Sequence, residues 1–457
     1  MNKSVFRAYD IRGIYPDELN ERDAFIIGKA IYKYLGGVEK AGISRDARLM
    51  APAIQNSLMA GLASMGAEVE DLGMISSDTR SFATGKLGYD LSISVTASHN
   101  PKEWIGMKIA KAGGVEIGGS GEIVEIGEIA MGLDDEGFDQ EYEFEKRDIL
   151  PEWLEHVLSF VEVDKIKPLK VVVDAGNGVA GPIVMGLAEK LPITVVPMFF
   201  EPDGSFPNHL PSPIEPENIA DLQKRVVEEN ADLGMAFDGD ADRVFLVDEK
   251  GGVVTGSEMT AMIIDSVLSH SPTATVLYNA VCGWNVRDVL AKYPNAKSYR
   301  TKVGHGYIKK DIREYDAEFA GEHSGHYFFK NNQGADSGLI AAVIVLQLLS
   351  STESSVSEFL EKYRGYVQIP ETNFRVADAK QVMEGLAEKY SDAKQDHLDG
   401  LTLYWDDAWA SIRASSNEPL LRLNVEANTT ERLDQLAAEL ANTIQQLGQA
   451  SSEPVEG

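Results

Sequence analysis

Apolar positions along this chain switch repeatedly between two periods. Short apolar runs that read as strands, among them LSISV at 91–95, LGMAF at 233–237 and VFLVD at 244–248, alternate with stretches whose apolar residues recur at helical spacing. Asn20 is expected to cap a helix whose apolar face carries Phe25, Ile26, Ala30, Ile31 and Leu35, with Gly36 closing it. Near the other end Thr430 precedes Leu433, Leu436, Ala437, Leu440, Ile444 and Leu447, a core-facing stripe stopped by Gly448. Gly338 to Leu349, the longest apolar run, is expected to be a buried helix, because it is too short to cross a bilayer. Strand and helix alternate nearly throughout, which predicts an α/β architecture.

One pattern recurs: an apolar strand that ends in a glycine-rich or polar loop. It appears as LSISVTASHN, ADLGMAFDGDAD and DAEFAGEHSGH, roughly a domain apart, which predicts consecutive domains of similar design. In open α/β sheets ligand groups gather at the C-terminal ends of strands. A fourth loop, WASIRASSNEP, is expected after a strand-like YWDDAW. At 457 residues the chain exceeds a single core. Composition shifts near Arg147–Pro151, Asp248–Gly252 and Arg364–Thr372 place the expected domains at 1–148, 149–249, 250–366 and 367–457, with a disordered tail SSEPVEG.

Charge narrows the partners. With 42 basic against 72 acidic side chains the net charge is -30, which disfavours nucleic acid and anionic membranes. Cations inside motifs therefore carry more information. A single cysteine, Cys282, excludes an intrachain disulfide. The start, MNKSVFRAYDIRG, has no apolar signal core, so a cytoplasmic location is expected.

FDGDADR is the strongest chemical signal, with Asp238, Asp240 and Asp242 at alternate positions of one loop. At about 6 Å and an effective dielectric near 20, each carboxylate pair repels by roughly 3 kcal/mol. Such a trio calls for a cation, and hard oxygen ligands select Mg²⁺, Mn²⁺ or Ca²⁺. Glu249 falls where a calcium loop ends, but Arg243 occupies that loop's glycine position and the flanks read as strands. A solvated acidic turn is the plainer alternative. VTASHNP sets Ser98 beside His99, Asn100 and Lys102, a candidate nucleophile without the glycine-flanked elbow of an acyl hydrolase. A serine combined with a metal loop suits phosphoryl transfer, and a phosphoserine of roughly -2 charge would add a ligand to the cation.

GEHSGH offers a carboxylate, a hydroxyl and imidazoles, a mixture suited to adjacent sugar hydroxyls, although a polar turn accounts for it equally. In RASSNEP, Arg413 supplies a planar fork for phosphate next to Ser415, Ser416 and Asn417, with a capped turn as the simple alternative. TKVGHGYIKK adds Lys302 and His305, while its lysines equally suit a solvated helix face.

Taken in order, FRAYDIRG, TASHNP, FDGDADR, TKVGHGYIKK, GEHSGH and RASSNEP make the sequence resemble the α-D-phosphohexomutase superfamily, and within it the phosphomannomutase/phosphoglucomutase group. The resemblance covers nearly the whole chain. It implies three related α/β domains and a smaller C-terminal α+β domain around a central cleft, each giving one loop. It implies reversible interconversion of hexose 1- and 6-phosphates, of mannose and also of glucose, through a phosphorylated Ser98. One Mg²⁺ per chain, held by Ser98, Asp238, Asp240 and Asp242, and a hexose 1,6-bisphosphate primer are the implied cofactors. Ser98, Lys108, Arg12 and His99 form the implied catalytic set. Lys108 moves the proton if nearby cations lower its pKa, Arg12 stabilises charge, and His326 is a second proton-transfer candidate. Substrate contacts are implied for Tyr9, Arg243, Lys302, His305, Glu322, Ser324, His326, Arg413, Ser415, Ser416 and Asn417. Three departures stand out: Asn417 where threonine is usual, His323 at a position that varies among relatives, and Val281-Cys282-Gly283 where a basic residue is common. The expected partners are hexose phosphates, with the chain a monomer or homodimer. Phosphoglucosamine mutase is the alternative within the family. A non-enzymatic sugar-phosphate or metal-binding protein and a simple phosphatase are the alternatives outside it.

Overall fold

The computed structural model describes residues 1–7, 9–118, 121–415 and 420–448. The first sheet contains β1 (Ile11–Ile14), β2 (Lys40–Arg45), β3 (Glu68–Met74), β4 (Leu91–Val95), β5 (Trp104–Lys111), β6 (Val115–Ile117) and β7 (Glu145–Lys146). Its order is β1-β5-β4-β2-β3-β7, with β6 on β5. The second has β8 (Leu169–Asp174), β9 (Ile193–Met198), β10 (Leu233–Phe237), β11 (Val244–Asp248) and β12 (Val253–Val254) in the order β12-β11-β10-β8-β9. The third has β13 (Thr275–Asn279), β14 (Lys297–Thr301), β15 (Phe319–Gly321), β16 (Tyr327–Phe329) and β17 (Ala335–Asp336) in the order β14-β13-β15-β16-β17.

These three sheets share one plan. A central strand (β2, β8 or β13) is flanked by two parallel strands, and the second of these is followed by an antiparallel return. VTASHNP, FDGDADR and GEHSGH all occupy that last connection, β4–β5, β10–β11 and β15–β16. The expectation of repeated domains with one loop each therefore has a topological basis. LSISV and LGMAF are buried at every position, as strands covered on both faces must be.

The fourth sheet is antiparallel throughout: β18 (Val367–Gln368), β19 (Thr372–Arg375), β20 (Lys394–Asp396), β21 (Leu401–Tyr404), β22 (Ala408–Ala414) and β23 (Leu420–Ala427). Its core includes residues of the helices Ala379–Lys389 and Thr430–Leu447, giving the expected smaller α+β unit. Two details differ from expectation here. YWDDAW is not one strand: β21 ends at Tyr404 and β22 begins at Ala408, so the adjacent aspartates form the hairpin turn. All of WASIRA lies in strand β22, which leaves Arg413 near a strand end rather than within a loop. The expected border at 249/250 also shifts, because β12 pairs with β11 and belongs to the second sheet.

Asn20 caps the helix Glu21–Tyr34 in a reciprocal box with Asp23, and Gly36 follows at φ 73°. At the last helix, Thr430–Leu447, Thr429 is the cap, accepting from Arg432 N at 3.3 Å. Gly338–Ser350 is the expected buried helix. Among the described residues no helix is long and apolar enough to cross a membrane. One apolar core runs through the second and third sheets and reaches Leu72, Phe82 and Tyr89 of the first unit. A smaller cluster of Val281, Trp284 and Trp409 seats the fourth sheet on the third unit.

Candidate active site

Beyond Val95 the chain turns sharply. The Thr96 hydroxyl accepts from Ser98 N at 2.8 Å, and Ser98 adopts φ 52°, a left-handed conformation unusual for a side-chain-bearing residue. That geometry aims Ser98 Oγ away from its own sheet and onto the second unit, where it donates to Asp238 Oδ2 at 2.9 Å. The two loops touch closely enough that a Cβ on Gly239 would lie 2.7 Å from the Ser98 carbonyl oxygen. Glycine there is a requirement of close approach.

Asp238, Asp240 and Asp242 are buried and offer ligand atoms within 4.8 Å of one another. Thr96 donates to Asp240 Oδ2 at 3.1 Å and Ser77 to Asp242 Oδ2 at 3.1 Å. Burial, with the charges of Asp242 and Asp240, pushes the Asp238 carboxyl well above the usual carboxylate range. Burial works the same way on Asp242, but the Lys108 ammonium overrides it and holds that carboxyl low. Asp240 Oδ1 and Asp242 Oδ1 are buried without a hydrogen-bond partner. Three hard carboxylates, unfilled oxygens and a serine hydroxyl on the same point fit a divalent cation. The flanks β10 and β11 are strands, so this is not a helix-flanked calcium loop.

Lys108, on β5, donates to Asp240 Oδ2 at 2.8 Å and also to Asp242 Oδ2. Although burial alone would lower its pKa, the two carboxylates raise it above the ordinary lysine value. This reverses the expectation that neighbouring cations would lower it toward neutrality. His99 Nδ1 lies 3.1 Å from Ser98 Oγ. Burial and the charges of Arg243 and Arg12 hold its pKa well below that of an ordinary imidazole, so His99 is neutral.

Arg12 donates to Asn100 Oδ1, to the Ala97 carbonyl at 3.3 Å, and to Asp10. Arg243 N donates to Asp238 Oδ1 at 3.2 Å, and its backbone bridges to His326. His326 Nδ1 contacts Asp336 Oδ2 at 2.7 Å. Lys309 Nζ sits between Glu116 at 2.6 Å and Asp336 at 2.7 Å. Arg12, Arg80, Lys108, Arg243 and Lys309 line a cavity of about 40 Å³ with Ser98, Asp242, His305 and His326. Five of the chain's 42 lysines and arginines thus converge on one small cavity. Burial and Lys309 lower the His305 pKa to about 3, and the Tyr9 ring lies 5.3 Å from its ring.

Other expected contacts lie further along the cleft. Glu322, buried, accepts from Asn279 Nδ2 at 3.1 Å and Gly304 N at 3.2 Å, with half-buried Ser324 on the same loop. Lys302 is exposed, its Nζ 5.6 Å from the Tyr307 ring. The lysine of that motif that enters the cavity is Lys309, four residues and one helical turn after His305. Arg413 and Ser415 form a separate group on the fourth sheet. Arg413 donates to Glu371 at 2.9 Å, and Arg422 donates to Glu371 at 2.7 Å and to Ser415 at 3.3 Å. Ser416 and Asn417 lie outside the described residues.

Sequence reasoning missed Arg48, Arg80, Glu116, Lys309 and Asp336. Each is buried or nearly so, and their ion pairs are Arg48 with Asp46, Arg80 with Glu116, and Lys309 with both Glu116 and Asp336. Of these only Lys309 carried a signal, its helical spacing from His305.

Family models for phosphoglucomutase/phosphomannomutase match the chain four times: alpha/beta/alpha domain I over residues 3–130, domain II over 151–252, domain III over 255–366 and the C-terminal domain over 371–443. A phosphomannomutase of Vibrio cholerae is 34% identical over 437 residues, covering 93% of this chain and 94% of that one. A phosphomannomutase/phosphoglucomutase of Pseudomonas aeruginosa is 34% identical over 452 residues, covering 96% and 95%. The crystal structure of a phosphoglucomutase/phosphomannomutase family protein from Burkholderia thailandensis superposes with a TM-score of 0.89 at 30% identity, covering 99% of this chain and 100% of that one. With the same four units in the same order, this chain belongs to the phosphoglucomutase/phosphomannomutase family.

Proposed function

We propose that the chain is a phosphohexomutase that interconverts the 1- and 6-phosphates of mannose, and of glucose as well, by way of a phosphorylated Ser98 and a hexose 1,6-bisphosphate. The observation that carries this reading is the 2.9 Å contact between Ser98 Oγ and Asp238 across two separate units. A nucleophile and a trio of metal-fit carboxylates meet there, in a cavity ringed by cations.

In this reading Asp238, Asp240 and Asp242 hold Mg²⁺ beside Ser98. When bound, the ion neutralises charge on the phosphoryl oxygens. Phosphorylated Ser98 gives its phosphoryl group to the free sugar hydroxyl; the Ser98 O–P bond breaks as the sugar O–P bond forms. The hydroxyl proton ends on Ser98 Oγ. His326 is the better placed of the two proton-transfer candidates. Its Nδ1 faces Asp336, which leaves Nε2 to accept, whereas Lys108 is held protonated by two carboxylates. Arg12 and Arg243 stabilise charge, with His99 and His305 as neutral polar neighbours. Tyr9, Glu322 and Ser324 read the sugar, and Lys302 serves only at the cleft rim.

Arg413 and Ser415, with Ser416 and Asn417, hold the phosphate that is not reacting. Units divide after about residues 148, 254 and 366. The protein acts in the cytoplasm as a monomer or homodimer on hexose phosphates, and its charge of -30 favours no nucleic-acid or membrane partner.

The test is Ser98→Ala with the wild type alongside. After incubation with hexose 1,6-bisphosphate, wild type gains roughly 80 Da on the Ser98 peptide and converts mannose 1-phosphate, while the variant folds and does neither. Full turnover by Ser98→Ala sinks the covalent scheme. Faster conversion of glucosamine 6-phosphate than of mannose 1-phosphate would move the substrate to the amino sugar.

A further inference from the structure

The loop that carries Ser98 is held from beneath by a side chain that no motif contains. Arg48 follows β2, is 1% exposed, and directs its guanidinium under the whole β4–β5 connection. Nη2 donates to the carbonyls of Ser98 at 2.9 Å and Asn100 at 2.6 Å. Nη1 donates to Pro101 at 2.6 Å and Trp104 at 3.1 Å, and Nε donates to Asp46 Oδ2 at 3.1 Å. A guanidinium has five N–H groups in a rigid plane, which suits four convergent carbonyls as an ammonium cannot. The same side chain also meets the unit that carries the aspartate trio. The Phe206 ring covers the guanidinium at 5.2 Å, and Gly204 packs so tightly that a Cβ would lie 2.5 Å from Arg48 Cα.

We propose that Arg48 is a positioning residue for Ser98. It fixes the loop from the nucleophile to the first residue of β5, the strand bearing Lys108, and indexes that loop against the second unit. Arg12 also holds the loop, at the Ala97 carbonyl and Asn100 Oδ1, and within it Ser98 N bonds Thr96 Oγ1 at 2.8 Å, Asn100 N bonds Ala97 O at 3.0 Å and Trp104 N bonds Pro101 O at 3.1 Å. Arg48 is the side chain that gathers the carbonyls of Ser98, Asn100, Pro101 and Trp104 together. By gripping the Ser98 carbonyl, Arg48 keeps the residue in its left-handed conformation with Oγ on Asp238 while phosphate arrives and leaves. The inference rests on the reading of Ser98 as phosphoryl carrier.

Arg48→Lys and Arg48→Met in the full chain test it, with phosphoryl transfer from hexose 1,6-bisphosphate to dephosphorylated protein followed by rapid quench and intact mass. Misplacement of a reacting atom by a fraction of an ångström predicts transfer and kcat slowed about 10- to 100-fold, with KM within roughly twofold and the lysine variant partly rescued. Folded variants that accept phosphate at the wild-type rate overturn the proposal. Should neither variant fold, Asp46→Asn decides, since it loosens the guanidinium without emptying its site: slowed transfer supports the proposal and an unchanged rate overturns it. If wild-type Ser98 itself takes no phosphate, the functional reading is what has failed.

Discussion

Gly239→Ala tests how tightly the serine loop and the aspartate loop must be registered. A methyl at this position would lie 2.7 Å from the Ser98 carbonyl oxygen and 3.2 Å from Pro211 Cγ. Reaching ordinary contact at 3.4 Å requires a retreat of about 0.7 Å between the two loops. Taken along the contact, that shift stretches the Ser98 Oγ–Asp238 bond from 2.9 Å to about 3.6 Å, beyond hydrogen-bond reach. Overpacking of this kind costs about 1–3 kcal/mol of stability. A displacement approaching 1 Å at the reacting atoms costs on the order of 100-fold in kcat, or about 2.7 kcal/mol.

The assay pairs a coupled measurement of mannose 1-phosphate conversion with urea unfolding. Gly36→Ala is the control, because Gly36 has φ 73° and nothing within 4 Å of an added Cβ. That control loses about 1 kcal/mol to a left-handed backbone while its kcat stays at the wild-type value. Loss of stability in Gly239→Ala with wild-type kcat would refute the reasoning, since the loops would then tolerate a slip that the mechanism forbids.

Two further substitutions probe charge. Lys108→Met removes the ammonium between Asp240 and Asp242, so the metal-free protein should lose about 3–5 kcal/mol. Mg²⁺ should then raise its melting temperature more than it raises the wild type's, because the ion no longer competes with Nζ; equal shifts would contradict this. Glu426 accepts from Trp284 N at 2.8 Å and Trp409 Nε1 at 2.7 Å, and burial lifts its pKa from 4.5 to about 7. A raised carboxyl pKa means that the folded state binds the proton more tightly, so stability falls as pH climbs from 4.5 through 7, by about 3 kcal/mol. Glu426→Gln should flatten that part of the profile and exceed the wild type above pH 7 in denaturant titrations; parallel profiles would count against the assignment.

What could be read from the residues was local. Helix caps, buried strands and the acid-rich and serine loops are each written within a dozen residues, and Ser98 and the aspartate trio, which the structure brings into contact, were singled out that way. Contacts that join distant segments were not legible. Arg80 and Glu116 pair across 36 positions, and Asp336 meets Lys309 and His326 across a strand return. A sequence reading leaves such cations in solvent, because charged side chains are rarely buried unless a partner is present, and the partner is the unseen part. YWDDAW misled for a related reason. Its aromatic residues read as strand, while the hairpin needs the two aspartates at its turn. The Lys108 pKa was reversed because proximity to Asp240 and Asp242 depends on how the first and second units meet.

The repeated strand order explains why these charges converge. In each of three sheets the second of the two flanking parallel strands is followed by an antiparallel return, so the three returning loops carry Ser98, the aspartate trio and GEHSGH. A parallel crossover at that step would have taken the chain away through a helix, and the loop's side chains would have lacked a neighbouring strand to brace them. Here Lys108 on β5, Arg243 at the head of β11 and His326 before β16 all ride on or beside the return strand. Five cations line the cavity, and each already has a carboxylate: Arg12 meets Asp10, Arg80 meets Glu116, Lys108 meets Asp240 and Asp242, Arg243 meets Asp238, and Lys309 meets Glu116 and Asp336. A phosphoserine of roughly -2 charge at Ser98 would therefore meet cations already engaged by carboxylates, and balancing it would call for a divalent ion on the aspartate trio.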